Sequence, residues 1–128
     1  MTKERHKTCI CVVDDDDAVR HSLDLYLSMK GMEVFAYSSG KQLLEDETIL
    51  VSHLFILDIN MPEMDGFAVL EELRLRGIGA PAIFMSGLGD RQIEKRAEAS
   101  GVAAFFTKPI NPKALLETVV ELIDNSTR

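Results

Sequence analysis

Five times along this chain a short apolar run rich in β-branched residues alternates with a longer segment whose apolar residues recur at helical spacing. Few folds accept that alternation. The runs are Cys9–Val13, Glu33–Tyr37, Leu54–Leu57, Ala82–Met85 and Val102–Phe106. Near-continuous apolarity is what parallel strands covered on both faces require. Strand, helix, strand, repeated, predicts an α/β domain: a doubly wound parallel five-stranded sheet with helices on both sides and right-handed crossovers.

The intervening segments carry helix signals. Val19, Ser22, Leu23, Tyr26 and Leu27 form one stripe, with Asp16 or Asp17 placed to cap it. Ser38 is placed to cap a short helix carrying Leu43 and Leu44. Phe67, Leu70 and Leu73 mark a third helix, capped by Asp65 and ended near Gly77. Leu116, Val119, Val120 and Ile123 mark the last, with Pro112 in its first turn. The segment Asp90–Ser100 also reads as helix, but only Ile93, Ala97 and Ala99 are apolar, so it is weakly anchored and exposed.

At 128 residues the chain fits a single domain able to bury a core without staples. With no Trp, that core rests on Leu, Ile, Val, Met, Phe and Ala. A net charge of −7 argues against nucleic-acid binding, which needs Lys and Arg to displace counterions, and against an anionic membrane surface. No run approaches the roughly 20 apolar residues of a membrane helix, and the polar first residues do not read as a secretory leader. The two cysteines, Cys9 and Cys11, share one face of a strand and read as small buried hydrophobes. Reduced thiols fit a cytoplasmic location.

In an open parallel sheet, ligands bind beyond the carboxyl ends of the strands. Asp14 and Asp15 follow the first strand, Asp58 the third, Ser86 and Gly87 the fourth, and Lys108-Pro109 the fifth. Three carboxylates meeting at one edge repel, and a hard divalent cation such as Mg²⁺ relieves that repulsion. Alone, an aspartate run at a helix start is a cap and a dipole partner; with Asp58, Ser86 and Lys108 ending three other strands, it reads as part of a site. Lys108 supplies the opposite charge, and its bond to Pro109 is of the kind that can be cis. Ser86 offers a hydroxyl and Gly87 an unobstructed N–H, both suited to a phosphoryl oxygen. The Asn60 carbonyl lies two residues past Asp58, within reach of the same cation.

From Thr8 to Ile123 the chain resembles the receiver domain of two-component response regulators. The resemblance is carried by Val12-Val13-Asp14-Asp15-Asp16, Leu57-Asp58, Met61-Pro62, Met64-Asp65-Gly66, Met85-Ser86-Gly87 and Lys108-Pro109, in that order and spacing. It implies a flavodoxin-like (βα)5 fold of strand order 2-1-3-4-5, with residues 1–128 forming one receiver domain of core 8–123. It implies that Asp58 is the phosphoacceptor, that Asp14, Asp15, Asp58 and the Asn60 carbonyl hold Mg²⁺, that Lys108, Ser86 and Gly87 attend the phosphoryl group, and that Ser86 and Phe105 are switch residues. Ser86 stands where Thr is commoner, and Phe105 where Tyr is commoner, so Phe105 brings no hydroxyl. Gly87-Leu88-Gly89 reads as a mobile loop.

The implied function is signalling rather than enzymic turnover. A sensor histidine kinase or a histidine phosphotransfer protein phosphorylates Asp58, the domain promotes its own phosphorylation and dephosphorylation, and the face built by the fourth helix, fifth strand and fifth helix responds. The implied partners include a downstream protein target or fused effector domain, and a dimer formed on phosphorylation. The alternative is a receiver-like docking module independent of phosphorylation; the intact Asp14, Asp15, Asp58, Ser86 and Lys108 set argues against it. An aspartyl-nucleophile hydrolase of the haloacid-dehalogenase kind places a second Asp two residues after the nucleophile, where this chain has Asn60.

Overall fold

The structure, a computed structural model, describes residues 7–87 and 91–126. In chain order the elements are β1 (Cys9–Val13), α1 (Asp17–Met29), β2 (Glu33–Tyr37), α2 (Gly40–Leu44), a 3-10 turn (Glu47–Leu50), β3 (Leu54–Asp58), α3 (Gly66–Leu75), β4 (Ala82–Ser86), α4 (Arg91–Ala99), β5 (Ala104–Thr107) and α5 (Pro112–Ser126). The strands form one parallel sheet of order β2-β1-β3-β4-β5.

Every residue of β1, β3 and β4 is buried. That explains their unbroken apolarity: a central parallel strand is covered on both faces. Successive side chains alternate between two packed layers. Cys11, Val13, Phe55, Leu57 and Phe84 point toward α2, α3 and α4, meeting Leu43, Leu70, Leu73 and Ala97. Ile10, Val12, Ile56, Ile83 and Met85 point toward α1 and α5, meeting Leu23, Leu27, Leu115 and Val119. Both cysteines are buried and unpaired, and burial pushes the Cys11 thiol up to about 11.

Several boundaries differ from the expectation, each for a local reason. β3 and β4 run one residue further, so Asp58 and Ser86 are themselves paired strand residues, Asp58 with Met85 and Ser86 with Thr107. β5 is Ala104–Thr107 rather than Val102–Phe106; Val102 packs against the core from the connection before it. Ser39, not Ser38, caps α2 by accepting from the Gln42 N–H at 3.1 Å, while Ser38 is tied to the Gln42 side chain. Of the two candidates for the first helix, Asp16 is the cap, accepting from Ala18 and Val19. Ser22 in the expected α1 stripe is exposed.

The buried face of α5 carries Leu115 and Val119, with Val120 exposed. The adjacent pairs Leu115-Leu116 and Val119-Val120 make the phase ambiguous from spacing alone, and packing on the sheet selects the first member of each. α4 buries Ala97 and leaves Ala99 exposed; its expected start at Asp90 lies outside the described residues, as do Leu88 and Gly89. The helix is as exposed as its composition implied, and besides Ala97 and Ile93 it is held by the Arg96 guanidinium, which stacks 3.9 Å above the Phe67 ring of α3. Asp65 caps α3 at Ala68, and Gly77, at φ +80°, ends it, as expected.

Candidate functional site

Four strand ends deliver the polar residues to one rim of the sheet. Asp14 directly follows β1 and is fully buried, Asp58 closes β3 at 2% exposure, and Ser86 closes β4, also fully buried. Lys108 follows β5, and its own N–H donates to the Ser86 carbonyl at 2.8 Å, which ties it to the neighbouring strand end. The Lys108–Pro109 peptide bond is cis. The Lys108 ammonium lies 2.8 Å from Asp14 Oδ2 and 3.5 Å from Asp58 Oδ1.

Burying carboxylates side by side is costly unless something compensates. Burial itself, then the neighbouring Asp14, push the Asp58 carboxyl up to about 6; Lys108 and the Asn60 N–H, which donates to Asp58 Oδ1 at 3.2 Å, act in the opposite direction. Asp14 Oδ1 accepts from the Asp16 N–H at 2.8 Å. Asp14 Oδ2 is buried against the Lys108 ammonium. Asp15 is exposed beside them, and one carboxylate oxygen from each of Asp14, Asp15 and Asp58 lies within 4.8 Å of the others.

Two buried carboxylates and a third open to solvent, grouped this closely, make a donor set suited to a hard cation that keeps several waters. The residues present therefore fit Mg²⁺. Ser86 Oγ donates to Asn60 Oδ1 at 3.0 Å, a link across two strand ends that the sequence did not announce. Gly87 is exposed, with open space where a side chain would stand.

The rim thus gathers Asp14, Asp15, Asp58, Asn60, Ser86, Gly87 and Lys108. Phe105 is not among them. It lies on β5, two strands from Asp58, paired with Phe84, and packs half-buried against the layer containing α3 and α4. An apolar groove of about 500 Å³ opens beside the rim between α1 and the start of α5, with Lys108 and Pro109 at one side and Tyr26 and Met29 at the other.

Gly66 explains why this rim holds its shape. A Cβ at that position would lie 2.7 Å from the Asp58 carbonyl oxygen and 3.0 Å from Ile59 Cα. Only glycine lets the start of α3 rest on the backbone of the third strand end, where its N–H donates to the Ile59 carbonyl at 3.2 Å. Gly66→Ala should therefore cost roughly 1–3 kcal/mol, the usual range for overpacking, and should move the Asp58 backbone. Chemical denaturation and the amide shifts of residues 58–60 check this. A variant with parental stability and unmoved shifts would refute the close-packing argument.

Comparison with known proteins gives a consistent picture. The family model described as the response regulator receiver domain matches residues 10–120. The chain is 37% identical over 113 residues to the response regulator protein TmoT of Ectopseudomonas mendocina, covering 88% of this chain and 51% of that protein. It is 35% identical over 108 residues to the transcriptional regulatory protein FixJ of Azorhizobium caulinodans, covering 84% and 51%. The chain spans about half the length of these curated relatives. Among solved structures, a CheY-like receiver domain protein from Methanospirillum hungatei JF-1 superposes with a TM-score of 0.83 at 30% identity, covering 94% of this chain and 96% of that one. The crystal structure of FixJ-N gives a TM-score of 0.82 at 26% identity, with the same coverage.

Proposed function

The chain belongs to the receiver domain family of two-component response regulators, and from that premise we propose that Asp58 accepts a phosphoryl group from a histidine kinase or histidine phosphotransfer protein. The observation that carries this reading is the arrangement at Asp58: a nearly buried carboxylate held between Lys108, Asp14 and the Asn60 N–H, with Asp15 open to solvent alongside. Mg²⁺ held by Asp14, Asp15, Asp58 and the Asn60 carbonyl would neutralise charge on the transferring group. Lys108 serves the same end from the other side, since its ammonium already touches the attacking carboxylate. The chain contributes position and electrostatics, which is most of what phosphoryl transfer requires.

The family is regulatory, and the output is a change of shape rather than a released product. In this reading Ser86 leaves Asn60 for a phosphoryl oxygen, the Gly87 N–H assists, and Phe105 shifts with Ser86, altering the α4-β5-α5 face. Such a switch needs contacts that differ between its two states. The Ser86–Asn60 hydrogen bond is one contact of the resting state that phosphorylation would break. The groove formed by Tyr26, Met29 and Pro109 offers a partner an apolar footing next to the reacting carboxylate. The output passes to a downstream target or a fused effector domain, with a phosphorylation-dependent dimer as one route. Among the described residues no helix is long and apolar enough to cross a membrane, and we place the domain in the cytoplasm.

The direct test is intact mass after incubation with acetyl phosphate, with and without Mg²⁺. One phosphoryl group should be gained only with Mg²⁺ and be lost on standing in water. No gain, or a gain independent of Mg²⁺, would overturn the proposal.

A further inference from the structure

Arg20 stands in the first turns of α1, and nothing in the chemistry described so far uses it. Its Nη1 donates to the main-chain carbonyl of Asp14 at 2.7 Å, and its Nη2 pairs with the Asp17 carboxylate. The side chain is 21% exposed, far less than the 89% of its partner Asp17. An arginine tied only to a surface aspartate would be a rim ion pair worth little. This one reaches back along the helix to the peptide that joins Asp14 to Asp15.

The contacts around that peptide close a frame. The Asp14 N–H donates to the Tyr37 carbonyl at 3.1 Å, Asp14 Oδ1 takes the Asp16 N–H, and Asp16 in turn caps α1. Arg20 takes the remaining main-chain group, the Asp14 carbonyl. With both main-chain groups and one carboxylate oxygen engaged, the geometry leaves Asp14 Oδ2 facing Lys108 beside Asp58, and it fixes where Asp15 leaves the chain. From this we infer that Arg20 is a positioning residue for the Asp14–Asp15 pair, holding the two carboxylates in the orientation that a divalent cation needs. The inference rests on the magnesium site proposed above.

Two effects of removing Arg20 have opposite signs, so the experiment decides between them. Deleting a positive charge beside an acidic site should, by Coulomb attraction alone, tighten the binding of a cation. Releasing the Asp14–Asp15 peptide should weaken it. Supports one bond removed from a metal ligand are worth about 10–100-fold in affinity; because Arg20 holds the main chain and not the carboxylate itself, a loss of about tenfold is expected here. Arg20→Gln removes the same charge and places its amide nitrogen about where Nε stands, two bonds short of the Nη1 that meets the Asp14 carbonyl, so it recovers the contact only in part and should lose somewhat less than Arg20→Ala.

The measurement is calorimetric titration of Mg²⁺ into the parent, Arg20→Ala and Arg20→Gln, with phosphorylation by acetyl phosphate measured at saturating Mg²⁺. The expected result is weaker Mg²⁺ binding in Arg20→Ala, a smaller loss in Arg20→Gln and a saturated rate close to that of the parent. Unchanged or tighter binding in Arg20→Ala would overturn the assignment; should that variant not fold, the same result in Arg20→Gln would do so. If the parent itself bound no Mg²⁺, the failure would lie with the magnesium site and not with Arg20.

Discussion

Asp58→Asn is expected to take up no phosphoryl group from acetyl phosphate and, in the absence of metal, to be more stable than the parent at neutral pH. The first half follows from the loss of the only oxygen proposed to attack phosphorus. The second follows from where Asp58 sits. Burial, and then Asp14, push its carboxyl up to about 6, well above its ordinary value of 3.8. A group whose folded pKa is raised contributes stability that is fully present below the unfolded value. That contribution is lost as the pH rises through the folded value. At pH 7.5 the charged carboxylate is therefore a burden on the fold, on the order of 3 kcal/mol, the opposing attraction of Lys108 being already contained in that shift. The asparagine carries no such burden. Urea unfolding in EDTA at pH 5 and pH 7.5 reads the difference: the parent should lose stability relative to the variant between the two. A variant that tracks the parent at both values would contradict the burial argument, whatever its phosphorylation.

The fold was legible because its signals are local. Five apolar runs, and helical partners with a period of 3.6, stand in the order of residues, and the sheet's interior strands announce themselves by having no polar side. Edge strands lack that signal: Ala104 to Phe106 of β5 are only half-buried, and the apolar run begins two residues before the strand does. The phase of α5 is hidden for a related reason, since adjacent apolar pairs fit two faces equally well until a sheet is present. The rim could be assembled from the order of residues because four of the five strand ends contribute to it. What could not be read was the scaffolding. Asn60 meeting Ser86, Gly66 resting on Asp58, Arg96 covering Phe67 and Arg20 reaching the Asp14 carbonyl are contacts fixed by how elements pack. A lone asparagine, glycine or arginine in a sequence has too many ordinary uses to name its partner.

Lys108→Ala should destabilise the fold more than Gly66→Ala or either Arg20 substitution, and Mg²⁺ should largely repair the loss. Lys108 touches both Asp14 and Asp58, its side chain only 20% exposed. Desolvation pulls its pKa down, but the two carboxylates together outweigh this and hold it above the ordinary lysine value, so the ammonium form is stabilised in the fold. Removing it strands two buried carboxylates beside each other. Breaking a buried pair from one side costs about 3–5 kcal/mol; here about 3 is expected, because the carboxyls can shed repulsion by taking up a proton. The deficit should accordingly be deepest near pH 8 in EDTA and shrink toward pH 5, as Asp58 becomes neutral. A divalent cation among the same carboxylates would supply the missing positive charge, so saturating Mg²⁺ should recover most of the loss at pH 8. Phosphorylation by acetyl phosphate should then persist in part. Thermal unfolding across pH with and without Mg²⁺ separates this from ordinary packing loss: a deficit that neither protonation nor Mg²⁺ relieves would mean that Lys108 matters for its aliphatic stem, and that the carboxylates were never the reason for its place.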